Sequence, residues 1–198
     1  MQPPFKYFSF WICLTLLPLA SIAQDLNPQP ILGIADFEDE DTARSVGTWE
    51  HNVLDPDQSV KVRIVGEDRA GKKEGKALAI DFDVDSPNPA MVGVWIKLEN
   101  QDLSSFDTLH FHLKSEGGRF RGAVAVQLTD SLYRKAAYLV SNVREEWKEY
   151  QIPLKKFARI ANWSQVKEFE IILDDMNAIP KEGTLLIDEI YVSKNRVK

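Results

Sequence analysis

Thr108-Leu-His-Phe-His-Leu-Lys114 alternates polar and apolar residues without a break. In an extended chain successive side chains leave on opposite faces, so this pattern is a strand with one buried and one outward face. Ala123-Val-Ala-Val-Gln-Leu-Thr129 repeats it, and so does Lys167-Glu-Phe-Glu-Ile-Ile-Leu173 with one exception. Val60 to Val65, Ala77 to Asp83 and Val92 to Leu98 behave alike. Further strands are expected over Gly33 to Glu38, Thr48 to Val53, Ala137 to Ser141, Trp147 to Ile152 and Thr184 to Val192. Turn-rich pieces separate them: Asp55-Pro-Asp57, Gly71 to Gly75, Ser86-Pro-Asn-Pro89 and Glu116-Gly-Gly118. About eleven short strands punctuated in this way imply a β-sandwich or barrel. Helix is confined to a turn or so at Leu154 to Ala158 and at Asn162 to Val166. The sequence reads as an all-β sandwich.

The rest of the chain agrees with one such domain. It has 198 residues, 44% of them hydrophobic, which is enough to bury a core. A formal net charge of -6, with no clustered stripe of Lys or Arg, argues against nucleic acid as a partner. The N-terminus differs in kind. Lys6 is followed by the apolar run Phe8 to Ala20, then by Ser21-Ile22-Ala23 and the polar Gln24-Asp25. A short positive region, an apolar stretch and a small-x-small exit make a secretory signal peptide over residues 1–23. The stretch is too short for a membrane helix, so no membrane span is expected after cleavage. The only cysteine, Cys13, would leave with it. A cysteine-free exported chain points to a secreted or periplasmic protein. Residues 24–31 carry two prolines and read as a linker, leaving the sandwich domain at 32–194.

Parity assigns the faces. Leu109, Phe111 and Leu113, with Val124, Val126 and Leu128, with Phe169, Ile171 and Leu173, and with Val92, Val94, Ile96 and Leu98, form the core set. The opposite parity collects Trp95, Lys97, His110, His112, Gln127, Thr129, Glu168 and Glu170. If these strands share one sheet, its outer face carries a large aromatic ring, two imidazoles, an amide and several acids. An aromatic ring covers the apolar face of a sugar while planar polar groups bond its hydroxyls. An antiparallel sheet with one solvated polar face and no ligand accounts for the same pattern.

Catalytic chemistry has little support. There is no GxSxG, no glycine-rich loop followed by Lys and Ser/Thr, and no thiol beyond residue 13. His110, His112 and Glu116 make HxHxxxE, which resembles part of a cupin metal motif but lacks its later histidine and its leading glycine. No enzyme activity is expected. The first and last strands place acids among apolar residues, at Asp36 and Glu38 and at Asp188 and Glu189. Where terminal strands lie side by side such carboxylates converge and call for a cation, calcium being the natural choice outside the cytosol. They serve equally as guards of exposed strand edges.

The order of features brings a resemblance into view. Asp36-Phe-Glu38-Asp39, Gly47-Thr-Trp49 and Gly75-Lys-Ala-Leu78 come first. Asp102 to Phe111, Trp147 to Phe157 and Leu186-Ile-Asp188-Glu-Ile190 follow. This series resembles carbohydrate-binding modules of the galactose-binding-like jelly-roll type, similar to family 11. The domain of the complex I intermediate-associated protein is a relative in scaffold only, because its VMGG-like stretch is absent around Thr48 to Val53. The resemblance implies two antiparallel sheets and a polysaccharide or oligosaccharide bound on a concave sheet face. It also implies a structural calcium held by Asp36, Glu38 and Asp188. It puts Trp95, His112 and Gln127 on the binding face, with Tyr138 beside them; parity adds His110 and Glu170. A protein partner meeting the same face is the alternative to sugar.

Overall fold

The structure is a computed structural model that describes residues 30–39, 42, 44–69 and 72–194. The expected signal peptide and nearly all of the expected linker lie outside these residues. Among the described residues the chain forms eleven strands, one for each stretch the alternation picked out. They are β1 (Ile31–Ala35), β2 (Val46–Glu50), β3 (Ser59–Arg69), β4 (Lys72–Asp83), β5 (Met91–Gln101) and β6 (Thr108–Glu116). They continue with β7 (Phe120–Asp130), β8 (Lys135–Val143), β9 (Lys148–Pro153), β10 (Val166–Asp174) and β11 (Glu182–Ser193). A 3₁₀ turn stands at Leu154–Lys156, opened by Pro153, and Thr42 and Arg44 are helical as well. Asn162 to Val166, the second expected turn, is not helical.

Every pairing is antiparallel, and the strands divide between two sheets. One runs β3-β4-β11-β6-β9, with β1 also paired to β11; the other runs β2-β5-β10-β7-β8. The first and last strands do lie side by side, with Leu32 opposite Val192 and Ala35 opposite Ile190. β1 starts at Ile31, one residue inside the expected linker, because Ile31 pairs with Ser193.

The core parity holds throughout. Leu109, Phe111, Leu113, Val124, Val126, Leu128, Phe169, Ile171 and Leu173 are all buried, as are Val92, Val94, Ile96 and Leu98. Each such side chain contributes about 1.5–3 kcal/mol on leaving water. Phe111 from the six-stranded sheet meets Phe169 from the five-stranded sheet edge-on, with ring centroids 6.2 Å apart. That contact also marks a departure from the sequence reading. β6 does not share a sheet with β5, β7 and β10, so its outward histidines face away from theirs. Alternation fixes which side of a strand is buried but not which sheet the strand joins.

Candidate functional site

The outer face of the five-stranded sheet is built in cross-strand rows. One row reads Gly47, Trp95, Glu170, Gln127, Ala137 across β2, β5, β10, β7 and β8. The next reads Trp49, Gly93, Ile172, Ala125, Leu139. Each tryptophan thus stands opposite a glycine. The Trp95 indole occupies the space over Gly47, and the Trp49 indole occupies the space over Gly93. Both rings are half-buried. Lys97, on the same face as Trp95, holds its ammonium 5.3 Å from the ring centroid.

Glu170 lies beside the indoles and is only 2% exposed. Burying a carboxylate is costly unless it is bonded on every side. Here four donors meet it. Trp49 Nε1 donates to Oε2 at 3.3 Å, while Gln127 Nε2 at 2.8 Å, Thr129 Oγ1 at 3.1 Å and Lys135 Nζ at 3.3 Å donate to Oε1. The carboxylate therefore ties one indole to the amide, hydroxyl and ammonium of the neighbouring strands. Of the residues expected on this face, Trp95, Gln127 and Glu170 come together.

Trp49 was not expected here; it reads from sequence as core or edge packing. A signal for it exists in the chain. Gly47-Thr-Trp49 and Gly93-Val-Trp95 are the same Gly-x-Trp triplet, and paired antiparallel each glycine receives the other strand's ring.

Three expected residues lie elsewhere. His110 and His112 are on β6, on the outer face of the six-stranded sheet. His110 is buried there, its Nδ1 2.9 Å from Glu149 Oε1, its Nε2 2.7 Å from Ser193 Oγ, and its ring stacked on Tyr191 at 4.4 Å. His112 Nδ1 lies 3.3 Å from Glu189 Oε2. Tyr138 pairs with Val126 and so has the inward parity of β8. It stays 37% exposed because β8 is the last strand of its sheet. The outward positions of β8 belong to Lys135, Ala137 and Leu139.

The residues expected to hold calcium make bonds within the chain. Asp36 Oδ1 accepts the Glu38 N–H, Glu38 Oε1 accepts the Lys76 N–H, and Asp188 Oδ1 accepts the Glu189 N–H at 2.6 Å. Among the described residues no three His, Cys, Asp or Glu side chains stand where they would hold a metal ion.

A sandwich of this topology has known counterparts. The profile of the family described as carbohydrate binding domain 30 matches residues 39–194. The chain belongs to that family. It is a carbohydrate-binding domain, and membership of a family of binding modules is in keeping with the expectation of no enzyme activity.

Among solved structures, the domain is similar to the family 11 carbohydrate-binding module from Clostridium thermocellum in complex with a β-1,3-1,4-mixed-linked tetrasaccharide. The two share 14% identity over 85% of this chain and 98% of that one, with a TM-score of 0.63. It is similar to the family 30 module of the cellulosomal cellulase Cel9D-Cel44B of Clostridium thermocellum, at 14% identity over 84% and 99% of the two chains and a TM-score of 0.55. A third is the CBM22-1 xylan-binding domain from Paenibacillus barcinonensis Xyn10C, at 14% identity over 85% and 97% and a TM-score of 0.53. At these identities the likeness is one of fold, and it agrees with the resemblance to family 11. No curated protein sequence matches the chain.

Proposed function

We propose that this carbohydrate-binding domain holds a polysaccharide or oligosaccharide on the outer face of its five-stranded sheet. Trp49 and Trp95 are the stacking platforms, Gln127 and Lys135 bond sugar hydroxyls, and Glu170 fixes the indole of Trp49 and the groups around it. The observation that carries the reading is the reciprocal seating of two indoles over two glycines beside a buried, fully bonded carboxylate. Seated in this way the rings are set before a ligand arrives, so little freedom is lost on binding. The protein works outside the cytoplasm, exported by the leader in residues 1–23. No helix among the described residues is long and apolar enough to cross a membrane.

The test is a glycan array followed by calorimetry with Trp49→Ala and Trp95→Ala. Each variant should keep the fold and lose tenfold or more in affinity, the ~2 kcal/mol of a central aromatic contact. Unchanged affinity in both would remove the site from this face. A folded protein that binds no glycan on the array would favour a protein partner instead. Mass spectrometry of the exported chain, starting at Gln24, would check the leader.

A further inference from the structure

The two sheets end at β3 and β9 and at β2 and β8, and three of these four ends carry a guard. β2 is only five residues long. β3 brings Lys61, Arg63 and Glu67 to its edge, and β9 carries Lys148 and Glu149 and closes at Pro153. Short length, charge and proline are what keep an open edge from pairing with another chain.

β8 carries a single charge, Lys135 at its start, and no proline. From Ala136 to Val143 it reads Ala-Ala-Tyr-Leu-Val-Ser-Asn-Val, without charge or proline. Ala137, Tyr138 and Leu139 are exposed in succession, Leu139 by 55%. Among the described residues nothing bonds the outward backbone groups of Ala136 to Ser141. The regular part of the strand stops at Ser141. Beyond it the register with β7 shifts, Asn142 takes a φ of 64°, and its carbonyl accepts the Tyr150 hydroxyl at 3.1 Å.

We propose that β8 pairs antiparallel with β8 of a second copy of this chain, about a two-fold axis at Tyr138. That centre uses the whole regular stretch from Lys135 to Ser141. Lys135 faces Ser141, Ala136 faces Val140, Ala137 faces Leu139, and Tyr138 faces its own counterpart. The one charge in the stretch meets a neutral hydroxyl. Moving the centre one residue on, to Leu139, would set Arg134 against Arg144 and oppose like charges. Moving it one residue back, to Ala137, would leave part of the stretch unpaired. Pairing of this kind joins the two five-stranded sheets into one and turns their outer faces to the same side. Two glycan faces then act together on one polymer, a consequence that rests on the proposed sugar site, whereas the pairing itself does not.

Sedimentation equilibrium of the purified protein, without sugar, tests the pairing. Dimer should accumulate between about 10 and 500 μM, the modest affinity expected of a small interface. The double variant Ala137→Lys, Leu139→Lys should remain monomeric with an unchanged circular dichroism spectrum and Tm. A second variant guards against misfolding of the first. In a Cys13→Ser background, Tyr138→Cys should form a disulfide dimer on mild oxidation, while Ser141→Cys should not, because only residue 138 meets itself. A wild-type protein that stays monomeric throughout that range would overturn the proposal. So would equal cross-linking of the two cysteine variants. With the pairing present, Tyr138→Lys, which opposes two ammonium groups across the axis and stands off the glycan face, should be monomeric and bind an insoluble polysaccharide on the order of tenfold more weakly and a short oligosaccharide equally well. A dimer that binds no sugar would leave the pairing standing and remove the glycan reading.

Discussion

Trp95 on β5 covers Gly47 on β2, and the ring occupies the place that a Cβ at position 47 would take. The glycine is thus a seat rather than a gap in the strand. Gly47→Ala drives the indole off the sheet or shifts β2, an overpacking that costs about 1–3 kcal/mol. Glycan affinity should fall with it, and the tryptophan emission should move to the red as the ring meets water. Gly33→Ala on β1 is the matched control, since a Cβ there meets nothing within 4 Å. Thermal melts, emission spectra and calorimetry on the two variants check the difference; equal behaviour would show that the seat plays no part.

The same pair of residues marks how far the sequence could be read. Alternation in β6, β7 and β10 reports local parity, and that parity picked out the strands and, for β5, β6, β7 and β10, their buried side. The partition of strands between sheets depends on crossovers that bring together residues far apart in the chain, and no local pattern carries it. His110 and Trp95 share outward parity but stand on opposite sheets for that reason. Tyr138 differs again: at a sheet edge an inward residue can remain exposed, so its aromatic character reads as a platform when its direction is not. Trp49 was within reach, because the repeated Gly-x-Trp triplet is visible in the chain, but its meaning requires β2 and β5 to be neighbours.

Glu170 accepts from Trp49, Gln127, Thr129 and Lys135, so its loss leaves four donors on three strands without their acceptor. Glu170→Gln keeps the shape but turns an NH₂ group toward one set of donors. About 1–3 kcal/mol of stability should go, the cost of leaving buried groups unpaired. The glycan affinity should also drop, since Trp49 and Gln127 lose their common anchor. Urea denaturation followed by calorimetry with the selected glycan measures both; a stability loss with full affinity would confine Glu170 to a structural role.

On the other sheet, His110 belongs to a buried chain in which Tyr191 donates to Glu149 at 2.8 Å and the imidazole bridges Glu149 and Ser193. Burial pushes the Tyr191 phenol up, and its bond to Glu149 and that carboxylate's charge push it further, to about 12. The phenol therefore stays a donor across the working range. His110→Ala removes the bridge that holds the last strand to β6 and should cost about 1–3 kcal/mol. Neither His110→Ala nor His112→Ala should alter glycan affinity, as both lie on the face away from Trp49 and Trp95. A loss of binding in the still-folded His112 variant would return the ligand to the six-stranded sheet.

Asp130 closes the β7–β8 turn and reaches beyond it. Its carboxylate accepts N–H bonds from Leu132, Arg134, Ala161 and Asn162, and the Arg134 guanidinium through Nε at 2.9 Å. Burial alone would raise its pKa, but the backbone donors of Arg134, Asn162, Ala161 and Leu132 together outweigh it and bring the value down to about 2 from 3.8. A carboxyl whose folded value is depressed favours the folded state in its charged form. Its contribution is complete above pH 3.8 and fades as the pH falls through about 2. Asp130→Asn places an NH₂ group among these N–H donors and should lower the Tm at neutral pH by ~5 °C. The gap between variant and wild type should then narrow between pH 4 and pH 2, as the wild-type carboxyl takes up its proton and loses the same bonds. Melting curves across that interval decide the matter, since a gap that stayed constant would mean that the charge of Asp130 contributes nothing and only its shape is required.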